Sequence, residues 1–285
     1  MTDVLTVITQ VGILTFVVAG MAGLGLGLTM QQVLTPLKDL RLVVGALAAN
    51  FVVVPLVAII AARALPMDDA TSAAIILVGC CAGAPFLPTL AKLAHGSQPL
   101  AVGVMVLLMV VTVAFAPIVV PLAVEGATVS AWDIAQSLIL FMLVPLGLGL
   151  VVRARYAGFA GDVVGGFTQV STVGLAVGIV SGLLVTWREV FASIGSWVFV
   201  GTVVVIITGL VAGWAGGLGR ESGDRLVLGL GAAQRNISAA LVIAASLGPD
   251  VVVTTLVAAL ALPIVLIVLA GELGKRRGGA TSGSA

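Results

Sequence analysis

Nine apolar stretches of about 20 residues, separated by short polar connections, constrain the fold of this chain more than any other feature. A helix that crosses a bilayer needs about 20 mostly apolar residues. The sequence therefore predicts an all-α polytopic membrane protein with nine transmembrane helices. The nine segments lie at about 4–29, 41–63, 70–91, 98–123, 132–152, 164–186, 190–214, 225–247 and 250–272.

Composition excludes two other classes of protein. Hydrophobic residues make up 60% of the 285 residues and charged residues only 9%, whereas soluble domains carry about 25% charge. A water-soluble globular protein does not fit these figures. The net charge of +1, without a basic patch, also argues against a nucleic-acid partner. The lipid bilayer is the expected environment.

Lysine and arginine positions predict the orientation. With nine segments, ten of the thirteen basic residues fall on one side, Arg63 and Arg188 fall on the other, and Arg235 lies inside a segment. Loops rich in lysine and arginine stay in the cytoplasm. We therefore expect a multi-pass protein of the cell (plasma or inner) membrane, with its N-terminus outside and its C-terminus cytoplasmic.

The third and eighth segments are expected to be broken helices. Pro85 and Pro88 follow Gly83 in the third segment, and proline removes a backbone donor from a helix. The eighth segment places Gln234, Arg235 and Asn236 in mid-membrane behind two glycines. Interrupted segments at matching places in two halves of a chain point to the binding site of a transporter.

Each broken segment is followed by a helix with a Pro-Ile-Val sequence, at Pro117 and at Pro263. This pattern predicts two inverted repeats, at about 4–123 and about 132–272, within one transmembrane domain at 1–273. Residues 274–285 are expected to form a disordered cytoplasmic tail.

Charge inside the membrane is confined to one residue. All twelve acidic residues fall in loops or at segment ends, whereas Arg235 lies halfway along the eighth segment. A charge at the bilayer centre costs at least ~3 kcal/mol. Arg235 is therefore expected either to anchor an anionic substrate or to cap the carbonyl groups of a broken helix, and the two roles are compatible.

The candidate site residues follow from these two breaks. Thr112, on the next helix, is a further candidate, although a threonine in a helix often bonds its own backbone. Lys92 and His95 are candidate proton or anion contacts, and the alternative for both is an interfacial position. No catalytic set, metal cluster or cofactor motif is present in the sequence, so we expect no enzyme. The candidate substrate-binding residues are Pro85, Pro88, Thr89, Thr112, Gln234, Arg235 and Asn236.

Three stretches resemble the bile acid:sodium symporter family: Gly79 to Gly96, Gln234 to Ala240, and Met21 to Leu28 with Pro55 in the next helix. The resemblance implies two inverted repeats of five helices, arranged as a panel and a core domain, with two broken helices that cross at the centre. Nine spans match members that lack the first helix. The family moves organic anions such as bile acids, steroid sulfates and pantoate, usually with Na⁺.

The chain departs from the family at the positions of the sodium ligands. Only Asn236 keeps the family residue, and the other positions have lost their side-chain oxygens, which a hard cation needs. The resemblance thus predicts a protein that does not bind Na⁺ in the family manner. The replaced positions are Leu87, Pro88, Met105, Leu108, Met109, Gly231 and Arg235.

These observations predict a secondary transporter that moves a small organic anion or polar metabolite by alternating access, with Arg235 in the place of a bound Na⁺. Two alternatives remain at this point. One is a passive channel or proton-coupled exporter of the same fold. The other is a membrane sensor or partner subunit that does not transport.

Overall fold

The computed structural model describes residues 2–193 and 195–282, without the side chains of residues 2, 3, 189 and 277–282. All regular elements in these residues are helical. The helices are α1 Thr2–Gly27, α2 Met30–Leu34, α3 Leu40–Ala48, α4 Val54–Ala64, α5 Asp69–Cys80, α6 Leu87–Leu93, α7 Gln98–Ala123, α8 Ala131–Leu138, α9 Val144–Arg155, α10 Ala157–Ala192, α11 Trp197–Gly216, α12 Ser222–Ala233, α13 Ile237–Ala244 and α14 Pro249–Ser282.

Eight helical stretches of the described residues are long and apolar enough to cross a membrane. The sequence predicts nine segments, and the difference lies in the third, which is divided into the 12-residue α5 and the 7-residue α6. The eight stretches are Val4–Gly27, Leu40–Ala64, Gln98–Ala123, Ala131–Arg155, Ala157–Arg188, Trp197–Gly216, Ser222–Ala244 and Pro249–Arg276.

Side-chain caps fix the starts of several helices. Asp68 accepts the Thr71 backbone N–H at 2.7 Å at the start of α5. Asp39 accepts the N–H groups of Leu42 and Arg41 at the start of α3. The bond from Leu42 is the main cause that holds the pKa of the Asp39 carboxyl below its ordinary value. Short polar side chains of this kind satisfy the free N–H groups of a first helical turn.

The chain forms two compact units. Unit 1 comprises Met1–Leu34 and Ala135–Ile194, and unit 2 comprises Thr35–Ile134 and Gly195–Ala285. In unit 1, α1 packs against α9 and α10. A Cβ atom at Gly149 would lie 2.9 Å from the Gly25 Cα, so both positions need glycine for the two backbones to approach this closely.

Helix α5 lies at the centre of unit 2. It contacts α4, α7, α11, α13 and α14, and most of its side chains are buried. Its central position places the first break, residues 81–86, inside the unit. Close packing of helices, together with polar contacts, is what holds membrane helices together.

The C-terminal helix is longer than the sequence analysis expects. Helix α14 continues to Ser282, beyond residue 274 where a disordered tail is predicted to start. Residues 283–285 lie outside the described residues, so the tail prediction for them is not addressed by the structure.

Candidate functional site

The first break leaves backbone groups that must find partners inside the protein, because the membrane interior offers no water. Thr112 on α7 is the partner of two of these backbone groups. The Ala82 N–H donates to Thr112 Oγ1 at 3.1 Å, and the Thr112 hydroxyl donates to the Ala82 carbonyl at 3.1 Å. Thr112 therefore holds the broken backbone and does not bond its own helix. It is fully buried, so its predicted contact with substrate stays a prediction.

Asn236 joins the two breaks. Its backbone N–H donates to the Cys81 carbonyl at 2.8 Å, and its side-chain Nδ2 donates to the Gly83 carbonyl at 3.1 Å. Its Oδ1 accepts the Ala239 N–H at 3.2 Å and caps the start of α13. One buried asparagine thus pairs with both broken helices, through a side-chain donor and a side-chain acceptor that an amide supplies together.

Arg235 is fully buried, and all five of its N–H groups have acceptors. Its Nε donates to the Val78 carbonyl at 3.0 Å. Its Nη1 donates to Asn50 Oδ1 at 2.9 Å and to the Ala232 carbonyl at 3.2 Å. Its Nη2 donates to the Asn50 carbonyl at 3.5 Å and to the Gly79 carbonyl. A guanidinium has five N–H donors, so none is left for another ligand.

The Asn50 carbonyl is free to accept Arg235 because of Pro55. Residues Ala49–Val53 form a π-helical turn, in which the Val54 N–H donates to the Ala49 carbonyl five residues earlier. The next bond of this pattern would run from residue 55 to Asn50, and proline has no N–H. The Arg235 guanidinium replaces that missing donor.

Three of the five acceptors around Arg235 lie at the negative ends of two helices. Val78 and Gly79 belong to the last turn of α5, and Ala232 belongs to the last turn of α12. The last turn of a helix carries unpaired carbonyl groups and about half a negative charge. The contacts favour the capping role that the sequence analysis left open. The role of substrate anchor stays a prediction, and it rests on charge alone.

The other predicted residues are placed differently around the breaks. Gln234 is buried, and its Nε2 donates to the Arg235 carbonyl at 3.5 Å, while its Oε1 has no partner in the described part of the chain. Pro85 and Thr89 are half-buried. Pro88 lies within the first turn of α6, where a missing N–H costs nothing, so it does not itself break the helix.

Lys92 and His95 are exposed near the end of α6. The Gly96 N–H donates to the Ala91 carbonyl at 2.8 Å, and the His95 N–H donates to the Lys92 carbonyl at 3.2 Å. This pair of bonds is the Schellman ending of a helix. His95 occupies its left-handed position, with φ of 53°. The hydrogen bonds that Arg235, Asn236 and Thr112 make within the described residues involve neither Lys92 nor His95. The role of these two residues as proton or anion contacts stays a prediction.

Apolar side chains occupy the positions where the resemblance places sodium ligands. Leu87, Met105, Leu108 and Met109 are all buried. A Cβ atom at Gly231 would lie 3.0 Å from Leu87 Cδ2, so this space is filled by leucine. The described residues also contain no group of three or more histidine, cysteine or acidic side chains that could hold a metal ion.

Asn50 is the site residue that the sequence analysis passed over. It is the only uncharged polar side chain between Arg41 and Arg63, and it is buried. The sequence signal for Asn50 is that it is a lone amide in an apolar segment, five residues before Pro55. Nothing in the sequence, however, showed that it would face a residue 185 positions away.

Two comparisons with known proteins agree with this description. The family model described as Sodium Bile acid symporter family matches residues 13–207, which includes the first break and ends before the second. A protein of Bacillus subtilis (strain 168), named as the uncharacterized sodium-dependent transporter YocS, is 29% identical over 201 residues. The alignment covers 67% of this chain and 60% of that relative. By the extent of the family match, the chain belongs to the sodium bile acid symporter family.

Proposed function

We propose that this protein is a secondary transporter that moves a small organic anion or polar metabolite by alternating access, without sodium coupling of the family type. Membership of a transporter family implies membrane transport. The observation that carries the sodium-free proposal is the fully bonded Arg235 guanidinium, which supplies a cation from the chain itself where two helices end.

A bound Na⁺ and the Arg235 guanidinium would compete for the same carbonyl oxygens. Hard cations take oxygen ligands, and the carbonyl groups of Val78, Gly79 and Asn50 already accept from Arg235. A second positive charge nearby would also be repelled strongly in a medium of low dielectric constant. We therefore propose that this chain differs in ion dependence from the Bacillus subtilis relative, whose name describes it as sodium-dependent.

The electrostatics of the site favour an anionic solute. Arg235 is the only charged residue among the buried polar side chains of the described chain, and the start of α13 adds the positive end of a helix dipole. Half-buried Pro85 in the first break and half-buried Thr89 in the first turn of α6 offer contact surface. The unpartnered Gln234 Oε1 is an acceptor for a hydroxyl or amine donor of the solute.

Element lengths support the proposal of two inverted repeats and nine crossings. Helices α5 and α12 each have 12 residues, and the half-helices α6 and α13 that follow them have 7 and 8. The next helices, α7 and α14, contain the internal prolines Pro117 and Pro263, and α7 contains a second one, Pro121. A shared sequence of elements is the structural form of an internal repeat.

Uptake into proteoliposomes tests the proposal. Radiolabelled taurocholate and pantoate serve as probe anions, because the family resemblance implies substrates of these classes. We expect saturable uptake and counterflow that are equal in sodium-free choline buffer and in sodium buffer. Uptake that rises with added Na⁺ would overturn the sodium-free proposal, and linear uptake without counterflow would indicate a channel.

Protein stability provides a readout that does not depend on the probe anion. A ligand that binds the folded state raises the apparent stability. The unfolding temperature of the purified protein in detergent is compared in sodium chloride and choline chloride at equal ionic strength. We expect equal values, and a sodium-specific rise would contradict the proposal.

A further inference from the structure

The charged groups of the interior limit the charge that one transport cycle can move. Ten of the twelve acidic residues have described side chains, and each is exposed or half-exposed. The remaining two, Asp3 and Glu189, are outside the described side chains. In the described part of the chain, therefore, no buried carboxylate can take up a proton or sodium ion and release it on the other side.

Arg235 contributes a charge that is permanently attached. Arginine stays protonated in proteins, and all five of its N–H groups donate to acceptors within unit 2. The guanidinium thus cannot leave with the solute or transfer a proton to it. Any displacement of this charge in one half of a cycle is reversed in the other half, so its net contribution is zero.

We infer that transport by this protein is electrogenic, and that the net charge moved per cycle is the charge of the solute alone. The inference rests on the proposed function. A potential of 100 mV then biases the distribution of a monovalent anion about 50-fold towards the positive side. In the cell membrane that we propose as its location, the cytoplasm is the negative side, so this direction is export.

The direction is the opposite of sodium-driven accumulation. A symporter that carries an excess of sodium ions moves net positive charge with its anion, so an inside-negative potential drives the anion inward. When the positive charge is part of the protein, that driving force is lost and the potential acts on the anion itself. Replacement of a mobile cation by Arg235 therefore changes the sign of the electrical coupling.

Potential clamps on proteoliposomes test the inference. Potassium gradients with valinomycin set the potential in sodium-free buffer, a strong buffer at equal pH inside and outside prevents a pH gradient, and taurocholate and pantoate are the probes. We expect initial uptake to rise at inside-positive potentials and to fall at inside-negative ones. We also expect the plateau ratio of a monovalent probe to shift about 50-fold at 100 mV.

The outcomes separate the two proposals. Sodium-independent uptake that is equal at all potentials, or that follows a pH gradient at zero potential, would overturn the electrogenic inference and leave the proposed function intact. Uptake that requires Na⁺, or the absence of uptake of every probe anion, would overturn the proposed function and the inference with it. Arg63 is exposed, and Arg63→Gln is expected to keep the potential dependence of the wild type.

Discussion

Arg235 is a buried cation that is stable only because its surroundings are arranged around it. An ionised group taken out of water costs several kcal/mol unless it is paired or fully hydrogen-bonded. Here the partners are three carbonyl groups at helix ends and both oxygens of Asn50. The same carbonyl groups would be unpaired without Arg235, so the cation and the two helix ends stabilise one another.

Replacement of Arg235 by methionine tests this interdependence. Arg235→Met keeps much of the side-chain volume and leaves several buried acceptors without donors, each at a cost of about 1–3 kcal/mol. We expect the free energy of unfolding to fall by at least about 3 kcal/mol, measured by denaturant titration in detergent.

The exposed Arg63 at the end of α4 serves as the control for that measurement. We expect Arg63→Met to change the free energy of unfolding by less than about 1 kcal/mol. A comparably small loss in Arg235→Met would contradict the capping role. Uptake of the best probe anion at an unchanged rate in Arg235→Met would remove Arg235 from substrate binding.

At the scale of elements, the second broken helix supplies hydrogen-bond donors for the carbonyl groups that the first broken helix leaves unpaired. The break after α12 provides Arg235 and Asn236, which pair with carbonyl groups of α5 and of the first break. Glycine and proline in the sequence locate both breaks to within a few residues. They do not show which polar side chain pairs with which carbonyl, because those partners are more than 150 residues apart.

The end of α6 offers a test of backbone conformation. His95 holds a left-handed φ of 53°, which costs a residue other than glycine about 1–2 kcal/mol. We expect His95→Gly to raise the free energy of unfolding by about 1 kcal/mol, because glycine is the preferred residue at this position. Thermal unfolding in detergent measures the change.

His95→Ala is the matched control for this variant, because it removes the imidazole and keeps the unfavourable φ. It is expected to show no gain in stability. A loss of stability in His95→Gly would indicate that the imidazole makes a stabilising contact. A loss of uptake in both variants would indicate that the imidazole takes part in transport.

At the scale of the whole molecule, the number of crossings depends on α5 and α6. Eight helical stretches are long and apolar enough to cross, and one of them, Ser222–Ala244, is the broken pair α12 and α13. The ninth predicted crossing consists of the shorter helices α5 and α6 joined by residues 81–86. Positions before and after this segment lie on opposite sides of the membrane only if it crosses.

Cysteine labelling decides between eight and nine crossings. Residues 66 and 218 are exposed and precede α5 and α12, and five predicted segments separate them. We expect Pro66→Cys to react with an impermeant maleimide on intact cells, and Leu218→Cys to react only after the cells are permeabilised. Equal labelling of the two would indicate that the third segment does not cross. The native Cys80 and Cys81 are buried and give little background.

The sequence by itself determined the membrane class, the positions of most helices, the two breaks and the single charge between the segment ends. These features depend on local properties, namely apolar length, glycine, proline and the distribution of charge. Only the tertiary structure decided which groups Arg235 contacts, and it also revealed Asn50. Their pairing joins residues 185 positions apart. The pairing arises because Pro55 leaves the Asn50 carbonyl of a π-helical turn without a backbone donor. No local pattern in the sequence shows which side chain donates to that carbonyl.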